Sequence, residues 1–159
     1  MTKQNEQESR AESHKERIDR ELVELLQELR VAIPGVQILF AFLLTLPFTG
    51  AFDDLGGSQR AAFSAALLCA AAATALLIAP TAYHRWNFRA GEKERMLFTS
   101  NRFALAGLAL VAVAIACALF VVFSVVFGAA WAGWSAGLAG LWFAWLWYAL
   151  PLLRRRANG

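Results

Sequence analysis

Long apolar tracts alternate with short charged segments along this chain. Three tracts contain no Asp, Glu, Lys or Arg: Val31–Phe52, Ala61–Tyr83 and Phe103–Leu153. A helix of about 20 apolar residues crosses the hydrocarbon core of a bilayer, and the third tract is long enough for two crossings. It must therefore turn back, and the glycine- and tryptophan-rich segment 128–135 suits a turn at the membrane interface.

This pattern predicts an all-α fold, a four-helix transmembrane bundle made of two hairpins. Each tract is continuously apolar rather than alternating, which favours helices as the spanning element. The spans are expected at about 33–52, 61–82, 103–127 and 135–153, which together form a transmembrane domain over 33–153.

The basic residues predict how the bundle sits in the membrane. The N-terminal segment, the 84–102 loop and the 154–159 tail hold 14 of the 15 Lys and Arg residues, and the 53–60 loop holds only Arg60. Lys and Arg are retained on the cytoplasmic side. We therefore expect a multi-pass protein of the cytoplasmic membrane with both termini and the basic tail in the cytoplasm.

Composition agrees with a membrane location. Hydrophobic residues make up 58% of the chain and charged residues 17%, against about 45–50% and about 25% in soluble domains. These values exclude a soluble globular fold, a disordered chain and a secreted disulfide scaffold.

The polar N-terminus predicts an amphipathic cytoplasmic helix at 13–33, after a disordered tail at 1–12. Apolar residues recur there at spacings of four and three, at Ile18, Leu22, Leu25, Leu29 and Ala32. Arg17 and Glu21 form an ion pair one turn apart, and Pro34 is expected to end the helix. The favoured interpretation places this helix against the membrane or the protein's own inner surface, and the alternative is a self-associating zipper.

The sequence shows no residue pattern that is typical of an enzyme active site. Cys69 and Cys117 lie in mid-span, far in sequence from His14 and His84, so neither metal-ligand spacing nor a paired nucleophile is present. We expect no catalytic residues, no metal and no cofactor. The predicted spans also lack the carboxylates that ion-coupled carriers usually place inside the membrane.

The first span carries a polar stripe with two interpretations. Its members are Gln37, Thr45, Thr49, Asp53 and Asp54, and Pro47 is expected to kink the helix between the threonines. The stripe could line a pore for monovalent cations with the aspartates at its mouth. In the favoured interpretation the threonines bond to their own helix and Gln37 bonds to a neighbouring helix.

Two further groups of residues favour contacts rather than chemistry. One is the basic loop, whose basic residues could bind lipid head groups, an anionic ligand or the acidic face of the N-terminal helix, or could simply fix the topology: His84, Arg85, Arg89, Arg95 and Arg102. We expect no nucleic-acid binding. The other is a pair of small-residue series at four-residue spacing in the fourth span, which allow close helix packing within one chain or between copies: Gly133 and Gly137, and Ala136, Gly140 and Ala144.

The residues around the first span resemble a known family. The segment 21–45, with Arg-Val-Ala-Ile-Pro-Gly-Val-Gln at 30–37, and the pairs His84-Arg85, Phe88-Arg89 and Asn101-Arg102 resemble a domain-of-unknown-function family of small bacterial four-helix integral membrane proteins. Some members carry an automatic label of sodium:proton antiporter. The resemblance implies the fold and the membrane location, and it assigns no catalytic or ion-binding residue.

Three functional hypotheses follow from the sequence. The leading one is a non-enzymatic membrane bundle that forms a homo-oligomer or docks a partner through small-residue helix faces. The second is an oligomeric channel or sodium/proton exchanger for monovalent cations, lined by the first span. A membrane enzyme acting on lipid head groups is the third, and it depends on the basic loop alone.

Overall fold

The structure, a computed structural model, describes residues 3–86 and 93–157, with side chains described for 16–82 and 95–154. The described part is helical apart from short connections and contains no strand. Its helices are α1 (Lys3–Thr45), α2 (Gly57–Trp86), α3 (Lys93–Phe127), α4 (Ala129–Ala144) and α5 (Leu150–Ala157). Two 3-10 turns, Leu46–Phe48 and Gly50–Phe52, follow α1, and one π-helical turn, Trp145–Ala149, joins α4 to α5.

The four long helices form an up-and-down bundle with α2 and α3 at its centre. Helix α1 packs on both of them, whereas α4 packs on α3. We call the end that holds the start of α1, the start of α3 and α5 the termini end. The opposite end, with the 46–56 connection and Gly128, is the loop end.

The core is a set of buried seams whose members are three, four or seven residues apart. This is the spacing that keeps one helix face against its neighbours. On α1 the fully buried positions continue the heptad seen in the sequence into the membrane span, and α2 and α3 carry matching seams of mostly small residues. The buried members are Ile18, Leu22, Leu29, Val36 and Leu43 on α1, Phe63, Ala66, Ala70, Ala73, Leu77 and Pro80 on α2, and Met96, Ser100, Ala104, Gly107, Val111, Ala114 and Val121 on α3.

Helix α1 corrects two expectations from the sequence. It continues through Pro34 to Thr45, and it begins at Lys3, inside the segment 1–12 that was expected to be a disordered tail. Proline has a helical φ and removes one intrahelical hydrogen bond. Leu29 and Val36, on either side of Pro34, are buried in one cluster. That packing outweighs the lost bond, so the amphipathic segment and the first span are one helix.

The other boundaries also differ from the predicted ones. Helices α2 and α3 begin before positions 61 and 103, and the expected turn at 128–135 is the single residue Gly128. Its φ of 91° lies in the region that glycine adopts readily, so one residue reverses the chain. Pro47 does not kink α1, because the helix ends at Thr45 and Pro47 lies in the following 3-10 turn.

Four helices are long and apolar enough to cross a membrane. Among the described residues, the candidate spans are Glu16–Phe48, which includes the 3-10 turn after α1, Gly57–Ala82, Arg95–Phe127, and Ala129–Arg154, which runs through α4 and the π-helical turn into α5. These dimensions and the helical bundle are those of a multi-pass membrane protein.

Candidate functional site

The polar stripe of the first span points away from the core of a single bundle. Successive helical residues are about 100° apart, so Gln37 lies beside the buried Val36 face and Thr45 lies nearly opposite it. Gln37, Thr45 and Thr49 are all exposed. The side chain of Gln37 has no hydrogen-bond partner among the described residues. A single copy therefore does not enclose these groups.

Both threonine hydroxyls of the stripe bond to their own chain. Thr45 Oγ1 donates to the Phe42 carbonyl at 2.8 Å, and Thr49 Oγ1 donates to the Leu46 carbonyl at 2.7 Å. These local bonds satisfy each hydroxyl donor inside a membrane. Such bonds are expected when threonine hydroxyls bond to their own backbone rather than line a pore.

At the loop end, Arg60 holds the connection between α1 and α2. Its Nε donates to the Leu55 carbonyl at 3.0 Å and its Nη2 donates to the Asp53 carbonyl at 3.1 Å. The guanidinium also lies 5.5 Å from the centre of the Phe52 ring. The carboxylates of Asp53 and Asp54 stay exposed. The connection is thus folded back onto α2 by one basic residue.

A second polar link at the loop end joins α2 to α3. Gln59 Nε2 donates to Ser124 Oγ at 3.0 Å, and Gln59 Oε1 accepts from the Gly56 N–H at 2.6 Å. Sequence reasoning missed both Arg60 and Gln59. The available signal was that each lies in the first turns of a helix that directly follows a short polar connection.

The basic loop lies mainly outside the described side chains. His84, Arg85 and Arg89 fall in the segment 83–94, whose side chains are not described, so their contact with lipid remains a prediction. Arg95 and Arg102 lie on the first turns of α3 and are exposed at the termini end.

The described residues of the chain leave the small-residue series of α4 largely uncovered. Gly133, Gly137 and Ala144 are exposed and Gly140 is half-buried. A Cβ atom added at any of the three glycines would meet no atom within 4 Å. Successive members are four, three and four residues apart, so they form one smooth strip, which we call the α4 strip. It runs beside the face on which Ala132 packs against α3.

An acidic and apolar groove of about 530 Å³ opens at the termini end between α1 and α3. We call it the termini groove. Arg17 Nε pairs with Glu21 Oε1 at 2.8 Å on its wall, as the sequence predicted. The groove is lined by Arg17, Ile18, Glu21, Glu24, Leu25 and Glu28 of α1 and by Leu97, Phe98 and Asn101 of α3.

Within the described residues, no three His, Cys, Asp or Glu side chains are grouped so as to hold a metal ion. Cys69 and Cys117 are free thiols in the spanning region, each partly buried. The two surface features that the geometry defines among the described residues are the α4 strip and the termini groove.

Comparison with known proteins gives a family for this chain. The sequence profile of a family described as "Family of unknown function (DUF6328)" matches residues 11–151. No curated protein and no solved structure matches the chain.

Proposed function

The chain belongs to the family of unknown function DUF6328, and we propose that it is a non-enzymatic, multi-pass protein of the cytoplasmic membrane that self-associates through the α4 strip. The observation that carries this proposal is the empty space beside Gly133 and Gly137. Each glycine costs a helix about 1 kcal/mol relative to alanine. Within the described part of a single copy, no atom lies within 4 Å of a Cβ placed at either glycine.

Membrane helices use small residues to bring their backbones close together. The strip offers four small residues at seam spacing on the side of α4 that no other described helix of the same chain covers. A second copy that placed its own strip there would make the packing that the glycines permit. Such an interface would be isologous, which is the commonest symmetry of homodimers.

The test compares the mass of the protein in mild detergent, by light scattering, for two leucine substitutions. Gly137→Leu fills the strip and should convert an oligomer to a monomer. Ala72→Leu, at an exposed position on α2, adds a similar bulk elsewhere and should leave the mass unchanged. A monomeric wild-type protein, or a Gly137→Leu variant that keeps the wild-type mass, would refute self-association through α4.

The proposed topology places both termini and the 87–92 connection in the cytoplasm. The distribution of Lys and Arg supports this orientation. A fluorescent-protein fusion at the C-terminus should fluoresce, and an alkaline phosphatase fusion there should be inactive. The opposite pair of results would invert the topology.

A path for monovalent cations is the second candidate function, and the exposed amide of Gln37 favours it. An amide without a protein partner is costly to bury in lipid, so an assembly that brings several copies of Gln37 together would stabilise it. Because the stripe faces outward from one bundle, only such an assembly could enclose it. Asp53 and Asp54 would then stand at the loop-end mouth.

Ion flux into proteoliposomes tests this second function. A sodium or pH gradient should drive flux in the wild type, and Gln37→Leu or the pair Asp53→Asn/Asp54→Asn should abolish it. Thr74→Val is the control, because Thr74 bonds to the Ala70 carbonyl within α2. No flux from an oligomeric wild-type protein would remove the cation path and leave self-association standing.

A further inference from the structure

The termini groove combines negative charge with an apolar floor. Glu21, Glu24 and Glu28 lie on one face of α1, and Arg17 is paired with the first of them. Glu24 and Glu28 form no ion pair among the described side chains. Phe98 lines the groove from α3 and is exposed. A surface of this kind suits a segment that carries both cationic and apolar side chains.

Helix α5 is a segment of that kind, and no other long helix among the described residues packs against it. Leu152 and Leu153 are 59% and 52% exposed, and the sequence continues with the three consecutive arginines 154–156. In the described structure α5 packs only against the π-helical turn that precedes it. It makes no close approach to α1 or to α3.

The bundle sets α5 at the height of the termini groove. Tyr148 Oη donates to the Leu105 carbonyl at 2.7 Å, so these two residues lie near one level. From Tyr148, the chain rises about 9 Å to reach Arg154, at about 1.5 Å per helical residue. From Leu105, it rises about 10 Å in the same direction to reach Phe98. The arginines and the groove therefore stand at matching heights.

We propose that the termini groove receives helix α5 of a second copy of this chain. Copies that share one membrane orientation sit at one depth, so the α5 of a neighbour stands level with the groove. Its arginines would pair with the carboxylates of Glu24 and Glu28, and its leucines would cover Leu25 and Phe98. This inference rests on the proposed self-association and adds a second contact, outside the apolar spans, to the α4 strip.

Charge reversal with complementation tests the contact. Changing the three arginines 154–156 to Glu, or Glu21, Glu24 and Glu28 to Arg, should each weaken association by about tenfold or more. Mixing the two reversed variants, carrying different tags, should restore it in a salt-sensitive way. The control is Asp53→Arg/Asp54→Arg, which reverses two carboxylates at the loop end and should change nothing. Unaltered association in both reversed variants would overturn the proposal.

Cross-linking identifies which copy supplies α5. In a background with Cys69→Ala and Cys117→Ala, one tagged chain carries Glu24→Cys and a second, differently tagged chain carries Arg154→Cys. A disulfide between the two tags is the expected result. The double variant Glu24→Cys/Arg154→Cys, diluted among unmodified chains, should give no intramolecular product. A cross-linked monomer, or no cross-link in either sample, would overturn the proposal.

The two proposals fail in distinguishable ways. If Gly137→Leu keeps the wild-type mass while the charge-reversed variants become monomers, the α4 strip is wrong and the groove contact stands. If Gly137→Leu becomes a monomer while charge reversal and cross-linking show no contact, only the groove contact is wrong. A wild-type protein that is monomeric at every concentration refutes both.

Discussion

Glycines at similar seam spacings behave differently in α3 and in α4. At Gly107, in the middle of α3, an added Cβ would lie 2.8 Å from Leu77 Cγ and Cδ2 and 3.5 Å from the Ala73 carbonyl oxygen. At Gly133 and Gly137, in α4, an added Cβ would meet nothing within 4 Å. The space beside Gly107 is occupied by α2 of the same chain, whereas the space beside Gly133 and Gly137 is empty of described atoms.

The difference shows what a small residue in a membrane helix does and does not tell us. Glycine lets two backbones approach, and at Gly107 the approaching backbone belongs to α2 of the same chain. In α4 the same residue type has no such neighbour among the residues that the structure describes. The distinction depends on which face of each helix meets a partner.

Gly107→Ala is the substitution with the largest expected effect on stability. The new methyl group would overlap the fully buried Leu77 side chain, and overpacking of this kind destabilises proteins by about 1–3 kcal/mol. Because alanine is also about 1 kcal/mol better than glycine as a helix former, the free energy of unfolding, from denaturant titration in micelles, should fall by the remaining difference, up to about 2 kcal/mol.

The double variant Gly107→Ala/Leu77→Ala separates the clash from a general loss of packing. Removing the Leu77 side chain makes room for the methyl group, so the two losses should not add. If Gly107→Ala alone leaves stability unchanged, α2 and α3 are not as close as the seam requires.

Ser100→Ala tests the same buried seam of α3 with a substitution that should increase stability. Ser100 is 1% exposed, and its hydroxyl has no hydrogen-bond partner in the described structure. An unpaired buried hydroxyl costs free energy, so alanine should raise the free energy of unfolding by about 1 kcal/mol. The control is Ser64→Ala, whose hydroxyl is exposed and donates to the Arg60 carbonyl. A loss of stability in Ser100→Ala would mean that the hydroxyl has a partner.

Much of the fold could be predicted because hydrophobic pattern dominates it. The four spans predicted from three uncharged tracts correspond to four long helices, and the seam read from Ile18 to Leu29 continues along the buried face of α1 to Leu43. The end of α1 could not be predicted from Pro34 alone. Local preference favours a break there, and only the packing of Val36 against neighbouring helices shows why the helix continues.

Less of the candidate site was accessible from sequence. The strip Gly133, Gly137, Gly140 and Ala144 was visible as a pattern, but whether its own chain covers it depends on the side of α4 that meets α3. The termini groove was not predicted at all. It exists because α3 begins before the expected span and its first turns lie beside the N-terminal part of α1. Two segments that are far apart in sequence therefore form one surface.

Gly137→Ala is the substitution with the smallest expected effect, and it is also the sharpest contrast with Gly107→Ala. In a monomer kept dilute in detergent, the new methyl group contacts nothing, while alanine is a better helix former than glycine. The free energy of unfolding of the monomer should therefore stay the same or rise, by up to about 1 kcal/mol. The same chemical change would then have opposite signs in two helices of one bundle. If Gly137→Ala instead destabilised the dilute monomer as much as Gly107→Ala does, α4 would have to pack through its strip inside a single chain, and the space assigned to a second copy would not exist.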